Sequence, residues 1–250
     1  MRLLVFDLCG YMGYFRKFYS SSKPLSYTFP PRTTIIGLVS GILGYDKDSY
    51  YSDFSDENCK VALALKHPVR KISQSLNYLD TDDVSVRRLR GIGTVPTTSE
   101  FVVPEPPSSR LRFRIYLNHK NEDITEELKM RIQSKRFRYP PSLGSANLIA
   151  DVEYVGDIDA SLFSADGGRK FEILGIIPKK VIASLIPKEG QKIYLEEAVP
   201  ADFSEGREIR RIEDYVFEGE GNPLFVTLNL AREIGFRLKK DDDYVFGVFM

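Results

Sequence analysis

Apolar and polar positions along the chain fall into short segments that switch between strand and helix rhythms. Residues 3–9 (LLVFDLC) are a brief apolar run ended by Gly10, the pattern of a buried strand. Residues 30–44 (PPRTTIIGLVSGILG) read as a helix, opened by Pro30 and Pro31, where a missing amide costs little, and closed by Gly44. Gly37, Ser40, Gly41 and Gly44 recur at steps of three or four, a small-residue stripe that predicts close packing of this helix against a sheet. Residues 60–66 (KVALALK) form the next strand, followed by a polar connection to about Asp83. In residues 111–117, Leu111, Phe113, Ile115 and Leu117 point one way and Arg112, Arg114 and Tyr116 the other, so one side of this strand is core and the other cationic. Residues 122–137 read as an amphipathic helix with acids in its first turns and bases later, as the macrodipole prefers. Tyr139-Pro140-Pro141 stops it, Leu143-Gly144-Ser145 turns the chain, and residues 148–155 resume as a strand.

Strand, helix, strand, excursion, strand, helix, strand is the order of a split β-α-β unit. The expected class is therefore α+β: a ferredoxin-like, RNA-recognition-type N-terminal domain over residues 1–155, with an insertion at about 84–110. That insertion is rich in turn residues, and VRRLRGIGTV and EFVV flank a short TSE, which predicts a projecting β-hairpin with a cationic stem. Residues 156–250 hold short β-like runs at 170–177, 191–195, 213–217, 224–228 and 243–248, a smaller β-rich C-terminal region.

Charge changes this picture from fold to partner. The 35 Lys and Arg balance 35 Asp and Glu, yet residues 1–150 carry a net +7 and residues 151–250 a net −7. From Gly10 to Tyr45 there is no acid, while Arg16, Lys17, Lys23 and Arg32 stand among eight aromatics. Residues 128–150 are also acid-free and hold Lys129, Arg131, Lys135, Arg136 and Arg138. Cations hold phosphates and aromatic faces accept stacked bases, the combination by which single-stranded RNA is recognised. The acidic stretch 196–220 reads as solvated surface or as a face toward a protein neighbour. Cys9 and Cys59 cannot make a disulfide scaffold or a zinc site, and no segment approaches 18 uninterrupted apolar residues; the expectation is a cytoplasmic protein with no membrane association.

Catalytic chemistry is sparse. His67 and His119 are the only imidazoles, and no Walker loop, H-E-x-x-H or G-x-G-x-x-G occurs. Asp80, Asp82 and Asp83, and the run Asp241 to Asp243, read as solvated loops rather than Mg²⁺ ligands, and no metal or cofactor is expected. Metal-independent RNA cleavage needs a base for the ribose 2′-hydroxyl, an acid for the leaving oxygen and a cation for the phosphorane. His119, Lys120 and a tyrosine such as Tyr45 or Tyr50 could supply these, although a His-Lys pair at a strand end is more often loop surface.

The block GYMGYFRKFYSSSKPLSYTFPPRTTIIGLVSGILGYDKDSYY, the Leu76-Asn77-Tyr78 region, the insertion and YPPSLGSANLIADVEY together resemble the CRISPR-associated protein family five, a RAMP subunit of type I Cascade antiviral complexes. The chain is most similar to type I-B members, and Leu143-Gly144 resembles the family's P-x-L-G element. The resemblance implies a non-catalytic subunit that caps the 5′ handle of a CRISPR RNA. It would contact the first backbone subunit and the large subunit, and through them target DNA. Carried onto this chain, the thumb spans 84–103 with Arg87, Arg88 and Arg90 on its stem. Arg16, Lys17, Lys23 and Arg32 meet phosphates, Tyr14, Phe15, Tyr19 or Tyr27 stack, and Gly144 and Ser145 belong to the RNA-binding set. A type I-C branch instead cleaves precursor RNA with a Tyr, a Lys and a His. Here His119 precedes Lys120, the reverse of that branch's order, so an endoribonuclease using His119, Lys120 and Tyr45 is the alternative reading.

Overall fold

Alternation in two strands organises the N-terminal part of the computed structural model, which describes residues 1–20, 24–79, 94–165, 168–240 and 243–250. In chain order come β1 (Arg2–Gly10), a small pair β2 (Phe15–Arg16) and β3 (Ser26–Tyr27), α1 (Arg32–Leu43) and β4 (Cys59–Leu65). A hairpin of β5 (Val69–Leu79) and β6 (Thr94–Pro104) follows, then β7 (Leu111–His119), α2 (Glu122–Ser134) and β8 (Asp151–Asp159). Four of these strands form an antiparallel sheet in the order β4-β7-β1-β8. Leu4, Phe6 and Leu8 of β1 and Phe113, Ile115 and Leu117 of β7 meet Ile35, Val39 and Ile42 of α1 and Leu128 and Ile132 of α2 in one core. The opposite face presents Leu3, Val5, Ala62, Ala64 and Tyr116 to Phe236 and Phe249 from the C-terminal part. Covered on both sides, β1 has to be almost continuously apolar.

Helix ends follow local chemistry. α1 starts after Pro31 and closes at Gly44, as expected. In α2 the Asn121 side chain accepts from the Asp123 amide at 3.0 Å, and the helix ends at Ser134 because Lys135 turns left-handed, three residues before the expected end. The small-residue stripe does not face the sheet. Ile35, Val39 and Ile42 take that side, since burying branched side chains removes more apolar surface from water. Gly37 and Gly41 instead line a cavity of about 250 Å³ with Tyr139, Pro140 and Pro141, where the Tyr139 amide donates to Gly41 O at 3.2 Å and the Tyr50 hydroxyl lies against Gly37.

The hairpin is displaced from its expected position. The segment after residue 66, expected as a polar connection, contains β5, which pairs antiparallel with β6 from Val69↔Pro104 to Leu79↔Thr94. Thr98, Ser99 and Glu100, expected at a turn, lie within β6 opposite Ser75, Gln74 and Ser73. Residues 70–78 carry Ile72, Leu76 and Tyr78 on one face, interrupted by Gln74, and only polar side chains on the other, an alternation too sparse to stand out; the ladder of backbone hydrogen bonds makes them a strand. Arg87, Arg88 and Arg90 of the expected thumb, like Lys23, lie outside the described residues.

The C-terminal part consists of β9 (Ser161–Ala165), β10 (Lys170–Ile173), β11 (Ile177–Pro178), β12 (Ile182–Leu185), β13 (Ile193–Phe203), β14 (Ile209–Glu218), β15 (Leu224–Leu228), β16 (Ala231–Lys240) and β17 (Asp243–Val248). They build a six-stranded sheet, β12-β15-β10-β17-β16-β9, and a three-stranded one, β11-β14-β13. The division expected at residue 155 falls inside β8, and Ile176, Val199, Tyr215, Phe217 and Met250 enter the N-terminal core. The two parts therefore share a core. No helix among the described residues is long and apolar enough to cross a membrane.

Candidate nucleic-acid interface

Three segments distant in sequence are knitted together by backbone hydrogen bonds at one end of the N-terminal sheet. Gly13 and Val102 exchange amide-to-carbonyl bonds at 2.8 Å, tying the loop after β1 to β6, and the Tyr14 amide donates to Leu143 O at 2.9 Å. Gly144 has φ +91° and sits so close that any Cβ would overlap the Tyr14 carbonyl oxygen. The turn LGS is thus required to be small where it meets the aromatic loop.

The aromatics of this loop divide between core and surface. Phe15, Tyr27 and Phe29 are buried, and Tyr14 packs on Phe101 at 5.5 Å. Tyr11, Phe18 and Tyr19 are exposed, with Phe18 and Tyr19 edge to face at 5.2 Å and the Arg110 guanidinium 5.4 Å over Tyr11. In the adjoining segment Arg136, Arg138 and Tyr139 are exposed, and Ser145 bonds Asn147 at 2.6 Å. Arg16, Arg136 and Arg138 form no ion pair among the described residues, Arg16 donating only to Ser20 O at 3.4 Å.

Two expected phosphate ligands are occupied elsewhere. Arg32 is 2% exposed and spans the molecule: Nη2 donates to Phe54 O (2.8 Å) and Cys59 O (2.9 Å), Nη1 to Ala201 O (3.2 Å) and Asp202 (3.3 Å), and Nε lies 3.0 Å from Asp56. It is an internal strut, and its partners lie 22 to 170 residues away in sequence. Lys17 pairs with Glu196 and lies 5.1 Å over the Tyr27 ring. Glu196, expected as solvated surface, is buried and also accepts from the Thr28 amide (3.0 Å), Thr28 Oγ1 (2.6 Å) and Lys71 Nζ (3.4 Å). Burial would raise its pKa, but the hydrogen bonds from Lys17 and Thr28 and the charge of Lys71 hold it below the usual carboxylate range.

The cationic face of β7 is neutralised as well. Asp7 is fully buried and receives Arg112 Nη1 at 2.9 Å and Arg114 Nε at 2.8 Å, and Arg112 also reaches Glu153 at 2.8 Å. Alternation reveals the two arginines, whereas their common acceptor sits in the apolar run of β1. Lys66, opposite Arg112, has its pKa lowered by burial and by the charges of Arg114 and Arg112.

Of the residues considered for RNA cleavage, His119 and Tyr45 meet around Phe54 and Asp53, with their reactive atoms engaged. His119 is buried; its Nδ1 accepts from the Asn121 amide at 3.0 Å, so Nε2 carries the hydrogen and donates to Asp53 O at 2.9 Å. Neither nitrogen is free to exchange a proton while these bonds stand. Tyr45 packs on Phe54, itself against His119, and burial together with Asp53 pushes its hydroxyl pKa up, away from the phenolate a base would need. Lys120 is exposed. Among the described residues no three His, Cys, Asp or Glu side chains gather in a way that would hold a metal ion.

No family model matches the chain, and no curated protein matches it. Among solved structures it is similar to a chain of a CRISPR RNA-guided surveillance complex, at 13% identity over 88% of this chain and 91% of that one, with a TM-score of 0.47. It is likewise similar to a chain of a type III-B Cmr-beta complex bound to cognate target RNA and AMPPnP, at 12% identity, 90% and 86% coverage and a TM-score of 0.45. The crystal structure of a CRISPR protein from Archaeoglobus fulgidus aligns over 99% of this chain and 100% of its own, at 14% identity and a TM-score of 0.55. What the two share at that identity is the fold, and they share it from end to end: this chain has the fold of a CRISPR-associated protein.

Proposed function

We propose that the protein is a non-catalytic, RNA-binding subunit of a CRISPR effector complex, with a ferredoxin-like RAMP core, that holds the 5′ handle of the guide RNA. The observation that carries this reading is a set of cations with no ion pair among the described residues, Arg16, Arg136 and Arg138, and the exposed aromatics Tyr11, Phe18, Tyr19 and Tyr139, on adjoining, backbone-stitched loops. Such surfaces track a single strand by phosphate contacts and stacking. The strand order β4-β7-β1-β8 with two crossover helices supports the RAMP assignment, and the end-to-end likeness to a CRISPR protein supports the complex. The N-terminal block and the LGS turn, which resemble family five of type I-B, support the handle in particular. In that setting neighbouring backbone and large subunits complete the groove, and the engaged ring of His119 supports a role without cleavage.

The test is copurification of a guide-length RNA with the assembled complex, followed by titration of handle RNA against the wild type and a variant carrying Arg16→Ala, Arg136→Ala and Arg138→Ala. Each lost phosphate contact lowers the salt slope of a single strand by about 0.7, so the triple variant should bind less tightly with a slope shallower by about 2. A complex free of RNA, or an unchanged slope, would refute the assignment.

A further inference from the structure

A cleft of about 540 Å³ lies between the base of the β5–β6 hairpin and the edge formed by β13 and β14. At its rim stands Tyr194, half exposed although it is large and partly apolar. The ring stacks on Phe217 with centroids 5.6 Å apart and planes inclined by 26°. Phe217 is buried and braced edge-on by Phe29 at 5.4 Å. Gly219 packs against the same ring, since any Cβ there would overlap a Tyr194 ring carbon. An aromatic ring fixed from behind and open in front loses little freedom when a flat partner stacks on it.

The polar lining supplies the rest of a site. Arg70 is exposed and forms no ion pair among the described residues, and Glu105, half exposed on the same cleft, forms no salt bridge among them. Lys17 and Lys71 also line the cleft but are committed to Glu196, so Arg70 is the cation available to a ligand. The volume lies within the usual range for small-ligand sites of roughly 300–1,000 Å³, enough for one nucleotide and too small for a folded segment.

We propose that this cleft holds one nucleotide of a single-stranded RNA, its base stacked on Tyr194 and its phosphate on Arg70. The proposal rests on the RNA-binding reading above and extends it to a part of the chain whose net charge is negative. Glu105, an acceptor when ionised, can take a hydrogen from the edge of the stacked base, whether an exocyclic amino group or a ring N–H. The experiment uses the full chain and a 12-nucleotide single-stranded RNA of mixed sequence bearing one photoreactive 5-iodocytidine. The crosslink maps to Tyr194, Tyr194→Ala and Tyr194→Leu weaken binding about tenfold, and Tyr194→Phe stays within about twofold. That tenfold loss is about 1.4 kcal/mol, the lower part of the range for one base stacked on an aromatic side chain. Tyr194→Leu keeps the apolar contact with Phe217, so an unchanged melting temperature separates lost stacking from misfolding. Arg70→Ala lowers the salt slope by about 0.7. If the wild type binds RNA but both Tyr194 variants bind equally well, or if Tyr194 in the assembled complex crosslinks to protein instead, the cleft is not a nucleotide site while the RNA-binding reading stands. If the wild type binds no RNA at low salt, both readings fall.

Discussion

Glu196 joins the aromatic loop, the hairpin and the C-terminal strand β13 at one buried carboxylate, so its removal is the sharpest test of how the interface is held. Glu196→Ala leaves the Lys17 ammonium, 14% exposed, and the Thr28 amide without their acceptor. Breaking a buried pair by deleting one partner costs about 3–5 kcal/mol, and partial exposure of Lys17 and Lys71 moves the expectation to about 2–4 kcal/mol. For a chain of this size that is a fall in melting temperature of about 5–15 °C. Glu196→Gln keeps an acceptor for Thr28 and should lose only about half as much. Because the native pKa of Glu196 is depressed, its contribution is present above the unfolded value of about 4.3 and disappears as pH falls through the native value. Urea unfolding of the wild type, Glu196→Gln and Glu196→Ala at pH 7 and near pH 3 reads both effects, with the gap between wild type and Glu196→Gln narrowing at the lower pH. A loss below about 0.5 kcal/mol for Glu196→Ala at pH 7, or equal losses for Ala and Gln, would refute the clamp.

Other consequences are as direct. Gly144→Ala combines a left-handed φ with a backbone collision against Tyr14, so it should destabilise by about 1–3 kcal/mol and weaken RNA binding, measured by thermal melting and fluorescence anisotropy. Arg32→Lys offers a single ammonium where a planar fork meets three carbonyls and two carboxylates; it should lower stability by several kcal/mol, on the order of 3–5, yet leave the RNA salt slope of the folded fraction unchanged. A shallower slope would put Arg32 at the RNA after all. Prolonged incubation of wild type with repeat RNA in EDTA should leave the RNA intact; a 2′,3′-cyclic phosphate product abolished by His119→Ala would reinstate the nuclease reading.

Local rules account for the elements that proved easiest to see. Pro31 and Gly44 bracket α1, Asn121 caps α2, and alternation from Leu111 to Leu117 identifies β7, because each signal lies within a few residues of the structure it specifies. The hairpin escaped for the converse reason: the apolar face of β5, Ile72, Leu76 and Tyr78, is broken by Gln74, and the strand is held by pairing with a partner about 25 residues on. The exposed cations and aromatics of the interface were visible as an acid-free texture, but which of them remain free was not.

Charge shows the division most clearly. From the sequence alone come the α+β order, the concentration of cations and aromatics in residues 1–150, and the small LGS turn, since composition and short-range spacing are enough to define them. Tertiary structure decided which charges are available. It buried Arg32 among carbonyls from two distant segments, gave Lys17 to Glu196 and gave Arg112 and Arg114 to Asp7, while Arg16, Arg136 and Arg138 were left without an acid among the described residues. A carboxylate neutralises a cation by lying within a few ångströms of it, and that proximity is set by how sheets and loops pack rather than by where the residues stand in the chain.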